Sequence, residues 1–336
     1  MTPRLLEFLV CPDCQLELVC HPDQRSEDEI TSGRLECTGC ASSYPIVRGI
    51  PRFVETESLD HATAETIDGF GWEWQEFDVL HDAGQYRDQF VDWIAPLDPG
   101  FLRDKVVLDA GCGMGRFSAV SSACGASLVL AVDASDAVEP ARANTRAVGN
   151  VEVIQADLNR MPLRRRPSGQ IDFAFSIGVL HHLKDSRQGF NSVVRHLCEN
   201  GRIFAWVYGR ENNGWIVYLV NPLRRTITSR LPRPVLYALS WVLTLALHPV
   251  LKVLYSAHSP GWLRSRLPYS DYLSWLAQYS FRHNHSVLFD HLVPALAHYI
   301  PREEFEDWFR GAGLQILDIS WRNRNSWRGH GQVRTT

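Results

Sequence analysis

The chain has 336 residues, 45% hydrophobic, 21% charged and 11% aromatic, a balance that supplies a large core and excludes a disordered or collagen-like polymer. One large domain with a smaller companion fits this length. A formal net charge of −4 gives no bulk attraction to nucleic acid, whose phosphates are usually met by a basic face, although a local basic patch stays compatible with it.

Residues 1–55 hold Cys11-Pro-Asp-Cys14, a polar stretch, then Cys37-Thr-Gly-Cys40 and Tyr44-Pro-Ile-Val-Arg-Gly-Ile-Pro-Arg-Phe53. Two tight Cys-x-x-Cys turns, 22 residues apart, suit a structural zinc ion, which takes four tetrahedral thiolates and leaves no open position for catalysis. A redox Cys-x-x-Cys would need a helix after it and no second pair. The stretch resembles the small zinc-ribbon proteins that activate tRNA and protein methyltransferases, and the ribbons fused to methyltransferase domains. Cys20, Cys112, Cys124 and Cys198 read as small buried hydrophobes. With no long apolar core of a secretory signal at the N-terminus, reduced thiols and a cytoplasmic location are expected.

Residues 56–100 form a linker with Phe70-Gly-Trp-Glu-Trp-Gln-Glu-Phe77 and a helix expected over Tyr86 to Ile94, ending before Pro96. Trp72 and Trp74 are candidates either for a lid over a bound cofactor or for an aromatic anchor.

From Lys105 the pattern changes to short apolar runs separated by amphipathic stretches, with strands expected at 105–109, 127–133, 151–155, 171–176 and 202–208. That alternation predicts parallel βαβ units. A helix over 302–309 and strands over 314–321 and 326–333 would complete a seven-stranded sheet.

Within this block, Val106-Val-Leu-Asp-Ala-Gly-Cys-Gly-Met-Gly-Arg-Phe117 puts a Gly-x-Gly-x-Gly turn between a strand and a helix, where missing side chains let backbone approach a ligand. The spacing departs from the dinucleotide pattern Gly-x-Gly-x-x-Gly, and Asp109 stands at the strand end. The second strand ends in Asp133, where a carboxylate can bind a ribose diol, and the third is followed by Ala156-Asp157-Leu158. Three acids on one sheet edge suit a cationic, non-phosphorylated cofactor.

Leu108-Asp-Ala-Gly-Cys-Gly-Met-Gly115 resembles motif I of class I S-adenosylmethionine-dependent methyltransferases, over roughly residues 70–210. The resemblance implies an α/β, Rossmann-like seven-stranded methyltransferase fold, preceded by the zinc ribbon and interrupted by a mainly helical insertion. It implies Gly111, Gly113 and Gly115 around the methionine part of the cofactor, Asp133 at the ribose hydroxyls, Asp157 at the adenine amino group, Asp109 nearby, and Ala134 and Leu158 among the cofactor-binding residues. The organisation expected is ribbon 1–55, capping segment 56–100, cofactor core 101–210, substrate insertion 211–301 and a closing helix and strands over 302–336.

The fourth strand runs into Val179-Leu-His-His182, a sequence similar to that of small-molecule methyltransferases of quinones and natural products. His181 and His182 are therefore the candidate bases, since imidazole can take a proton near neutral pH. No Asn-Pro-Pro-Tyr or Asp-Pro-Pro-Tyr motif marks a nucleobase N-methyltransferase. The insertion is rich in apolar and aromatic residues, which suits a small lipophilic or aromatic acceptor, and its His283, His285, His291 and His298 have no metal spacing.

Val235 to Leu251 lacks Asp, Glu, Lys and Arg, but His248-Pro249 is expected to break it, which favours a buried or peripheral, interfacial helix over a membrane span. The tail around Asn323 to Gly331 reads as touching acceptor or RNA, or equally as a final hairpin with a solvated turn. Competing readings are an RNA or protein methyltransferase that docks substrate through the ribbon, and a non-catalytic scaffold. No motif encodes the acceptor, the methylated atom or the oligomeric state.

Overall fold

The computed structural model describes residues 1–26, 28–54, 60–77, 83–165 and 169–334; the boundary expected at 55–56 falls outside them. Strands β1 (Leu18–Ser26), β2 (Glu29–Cys37), β3 (Ser43–Val47) and β4 (Ile50–Pro51) form an antiparallel sheet in that order. Helices α1 (His61–Glu76) and α2 (Ala83–Ile94) follow. Asp60 caps α1 by accepting a hydrogen bond from the Thr63 amide, which satisfies one of the free N–H groups of the first turn.

The main domain alternates β5 (Val106–Ala110), α3 (Arg116–Ala123), β6 (Leu128–Asp133), α4 (Val138–Thr145), β7 (Val151–Gln155), β8 (Ile171–Ile177), α5 (Ser186–Val194) and β9 (Leu197–Tyr208). The insertion carries α6 (Asn221–Thr226), α7 (Arg233–Val250), α8 (Gly261–Arg264), α9 (Ser270–Leu276) and α10 (Phe281–Leu292). The chain closes with α11 (Arg302–Gly311), β10 (Leu314–Arg322) and β11 (Ser326–Val333). The sheet order is β10-β11-β9-β8-β5-β6-β7, parallel from β9 through β7, with β11 antiparallel to β9 and to β10. This is the seven-stranded Rossmann-like sheet expected from the sequence.

The parallel strands read as continuous apolar runs because helices cover both faces: Val107, Val129 and Phe173 point into one core and Leu108, Leu130 and Ala174 into the other. The ribbon shares the second of these cores. Its Leu5, Phe8 and Leu9 pack with Ile154, Leu158 and Leu163 of the main domain. Backbone bonds reinforce the seam: Val10 donates to the Pro162 carbonyl at 2.9 Å and Phe53 to the Gln155 carbonyl at 2.8 Å. The ribbon thereby covers the outer edge at β7, which would otherwise expose unpaired backbone groups.

The insertion leaves after Gly209 and returns at Ile300, where the two residues form a bridge. Two expectations are corrected. His248-Pro249 does not break the apolar run: α7 continues to Val250 with Pro249 inside it, and the missing N–H is followed by a wide π turn over Leu251–Tyr255. Of the four scattered cysteines only Cys112 is buried, while Cys20, Cys124 and Cys198 are half-buried.

Candidate active site

The carboxyl ends of β5, β6, β7 and β8 open into one cavity of about 400 Å3, at the point where the chain passes from one side of β5 to the other. Open α/β sheets bind ligands at such a switch.

One wall is the glycine turn. Gly111 has φ +92°, and a Cβ there would stand 2.3 Å from Val179 Cγ2. Gly113, at φ +50°, would place a Cβ 3.1 Å from the Trp74 indole nitrogen. Both positions therefore need glycine and both line the cavity. Gly115 also has a positive φ but does not line the cavity: it starts α3 and lets that helix approach Ala141 of α4.

Asp133 lines the cavity with Ala134 and has three local donors: the Gly113 amide at 2.9 Å, the Ser135 amide at 2.9 Å and the Ser135 hydroxyl at 2.7 Å. Burial pushes its carboxyl up, and these bonds pull against that shift. Asp157 caps a short turn by accepting from the Asn159 amide, and it also lines the cavity, as does Leu158. Asp109 lies outside the wall. It is 3% exposed beneath the glycine turn and accepts a 2.6 Å bond from the Ser118 hydroxyl, and burial raises its carboxyl to about 7.

The two histidines separate. His182 lines the cavity, with its Nδ1 2.7 Å from the Leu296 carbonyl. A carbonyl only accepts, so Nδ1 carries the proton and Nε2 keeps its lone pair, without a partner among the described residues. Desolvation lowers its pKa to about 3, so the ring is neutral. His181 is fully buried, 3.9 Å centroid to centroid from Tyr208, and is not part of the wall.

Sequence reasoning missed a second set, because its members come from distant elements. Glu73 of α1, Arg116 of α3 and Asp290 of α10 meet in the cavity. Burial, and then the nearby Asp290 charge, drives Glu73 well above the usual carboxylate range. Asp290 is raised to about 6 by burial, opposed by the Tyr208 hydroxyl, which donates to it at 3.2 Å, and by Arg116. Tyr272 and His291, joined at 2.9 Å, line the same cavity. The apparent lid motif also divides: Trp74 lines the cavity, whereas Trp72 anchors α1 against Tyr237 and Phe289 at 5.9 and 5.3 Å.

The residues suit a polar cofactor with an apolar neighbour. Glu73, Gln89, Asn213 and His283 line the cavity, and each has a buried side-chain polar atom without a hydrogen-bond partner among the described residues. Such orphans are costly unless a ligand or water meets them.

In the ribbon, the sulfurs of Cys11, Cys14, Cys37 and Cys40 all lie within 4.8 Å of one another. Cys11–Cys40, Cys14–Cys37 and Cys14–Cys40 are 3.5, 3.3 and 3.7 Å apart. Four thiolates around one tetrahedral zinc would be separated by roughly 3.8 Å, given Zn–S bonds of about 2.3 Å, so the donor set fits that ion. The Gly39 amide points at Cys37 at 3.3 Å and the Tyr44 hydroxyl lies 3.3 Å from Cys11, the kind of outer contacts that orient ligands. Tyr44 also donates to Asp13 at 3.1 Å, and Asp13 receives Arg160 Nε at 2.8 Å, which ties the first cysteine turn to the turn that follows Asp157. Among the described residues no other cluster of three or more His, Cys, Asp and Glu side chains could hold a metal.

Residues 108–205 match the family described as methyltransferase domain, and residues 2–49 the family described as Trm112p-like protein. The chain is 27% identical over 161 residues to a ubiquinone biosynthesis O-methyltransferase of Erwinia tasmaniensis, an alignment covering 47% of this chain and 64% of that protein. It thus spans just under two thirds of that relative. The Pseudomonas putida protein of the same name is 25% identical over 52% of this chain and 74% of its own. Among solved structures, a chain of the Haloferax volcanii Trm112 methyltransferase activator complex aligns at TM-score 0.45 and 13% identity, covering 81% of this chain and 98% of that one. The magnesium protoporphyrin IX methyltransferase of Synechocystis PCC 6803 aligns at 0.44 and 14%, over 82% and 99%.

Proposed function

We propose, from the premise that this chain carries a class I S-adenosylmethionine-dependent methyltransferase domain behind a Trm112p-like ribbon, that it methylates a small lipophilic or aromatic acceptor. The observation that carries this reading is one continuous cavity, with the glycine turn and strand-end acids on one side and aromatic insertion residues on the other. The O-methyltransferases it resembles act in ubiquinone biosynthesis, which favours a ring hydroxyl as the accepting group.

S-adenosylmethionine, when bound, supplies an electrophilic methyl group on a sulfonium. In this reading Gly111 and Gly113 admit its methionine part, Asp133 holds the ribose hydroxyls beside Ala134, and Asp157 with Leu158 receives the adenine. Arg116, a cation in the same wall beside Glu73 and Asp290, meets the cofactor's carboxylate in this reading. Trp74 and α1 exclude water from above.

Asp290, poised at about 6 and steadied by Tyr208, is the proton acceptor we favour for the acceptor hydroxyl. His182, at about 3, is too weak a base to take that proton readily, and its free Nε2 suits it to accept a hydrogen bond that orients the hydroxyl. Zinc in the four-cysteine site has a structural role in this reading and takes no part in the transfer.

Titration calorimetry with S-adenosylmethionine and S-adenosylhomocysteine tests the cofactor site. Micromolar binding by the parent and its loss in Asp133→Ala are expected. A well-folded protein that binds neither compound would sink the enzyme reading.

A further inference from the structure

We infer that the insertion docks this protein on the surface of an anionic lipid bilayer, through a face formed by residues 215–266. Fourteen of the twenty large hydrophobic side chains exposed among the described residues lie between Trp215 and Trp262. Tyr218 is 73% exposed, Leu219 and Val253 are 68%, and Trp262 is 66%. A soluble protein seldom leaves so many large apolar side chains of one segment exposed unless something covers them.

Helix α7 accounts for much of this face. Leu236, Ser240 and Thr244 form the stripe that packs on α10, and Ser240 bonds His285 at 2.9 Å. The remaining faces are also apolar, with Val242, Leu245 and Val253 turned outward. With its π turn it is the one stretch of described residues, Arg233–Tyr255, long and apolar enough to cross a membrane. The packed stripe, and Lys252 tied to the Ala277 and Tyr279 carbonyls at 2.7 and 2.9 Å, hold it against the folded domain. It is therefore placed to lie in the interface and not to span.

Charge selects the occupant. Residues 212–270 contain seven Lys or Arg and no Asp or Glu, in a chain whose net charge is −4. Arg225, Arg230 and Arg266 are exposed and have no carboxylate partner among the described residues, and Arg266 lies over the Trp262 ring at 5.9 Å. Exposed indoles beside arginines suit the headgroup layer of a bilayer. A second copy docking face to face would set these cations against their own kind. The face also reaches the cavity, because Ile216 lines it while its neighbours Trp215 and Tyr218 point outward. A lipophilic acceptor could enter along that turn, a corollary that rests on the proposed function, whereas the docking does not.

The test is sedimentation of the full chain with vesicles of phosphatidylcholine, with and without about 30% phosphatidylglycerol, at about 0.1 M salt. Binding at least about tenfold tighter to the anionic vesicles is expected. The exposed-site variant Tyr218→Ser/Leu219→Ser/Val242→Ser should lose about tenfold or more of that binding with an unchanged melting point. Arg225→Ala/Arg230→Ala/Arg266→Ala should lose the preference for phosphatidylglycerol. Parent protein left in the supernatant, binding unaffected by either triple variant, or a lipid-free dimer dissolved by the serine variant would overturn the inference. Calorimetry with S-adenosylmethionine on the same samples separates the two readings, since a parent protein that binds the cofactor but not the vesicles condemns only the membrane face.

Discussion

Asp109, Asp133 and Asp157 were legible as a set because each ends an apolar run of strand length, yet the sequence could not say that Asp109 lies under the turn and not in the wall. Its carboxyl rises from an ordinary 3.8 to about 7 on burial, so the folded protein keeps a proton that the unfolded chain releases between those values. The associated stability is present below about pH 4 and is lost as pH rises through about 7. Asp109→Asn cannot ionise and keeps an oxygen for Ser118. It should gain roughly 2 kcal/mol or more relative to the parent between pH 4 and pH 8 in denaturant melts; parallel stability curves for the two proteins would contradict this. Glu73, Arg116 and Asp290 left no trace in the sequence, since residues so far apart meet only through tertiary packing. A histidine pair is conspicuous in a sequence, but its burial is not, which is why His181 and His182 looked equivalent there.

At the scale of elements, the strands were readable because both faces are buried and their apolar runs are unbroken. Helix α1 was not. Gly69 and Gly71 weaken its helical signal, and their reason is contact: a Cβ would stand 3.0 Å from Val293 Cγ2 at the first and 3.3 Å from the Asp136 amide nitrogen at the second. The helix can therefore lie close on α10 and α4 and divide labour between its tryptophans. Trp74→Ala should weaken S-adenosylmethionine binding by about tenfold with little loss of stability, whereas Trp72→Ala should cost about 2–3 kcal/mol of stability and leave binding nearly unchanged. Calorimetry and denaturant melts on both variants read the difference, and equal effects on binding would show that α1 acts only as an anchor. The long run in α7 was equally plain in the sequence, but how much of it stays uncovered depends on which stripe α10 takes.

Across the whole molecule, the ribbon was legible from its cysteine spacing, but its merger with the main core was not, because Leu5, Phe8 and Leu9 carry no sign of the strands they pack against. One shared core predicts one unfolding transition. Removing zinc with a chelator should lower the melting point of that single transition by roughly 5 °C or more, read by scanning calorimetry; a ribbon that melts first and leaves the main transition in place would show the two parts to be energetically separate. The path from Cys11 through Tyr44, Asp13 and Arg160 to the turn after Asp157 runs inside the same unit. Because ribbon and main domain share one polypeptide, the seam at β7 forms at an effective local concentration fixed by the linker. Dilution cannot empty it, and every molecule carries ribbon and main domain in a fixed ratio of one to one, so their union has no dependence on protein concentration.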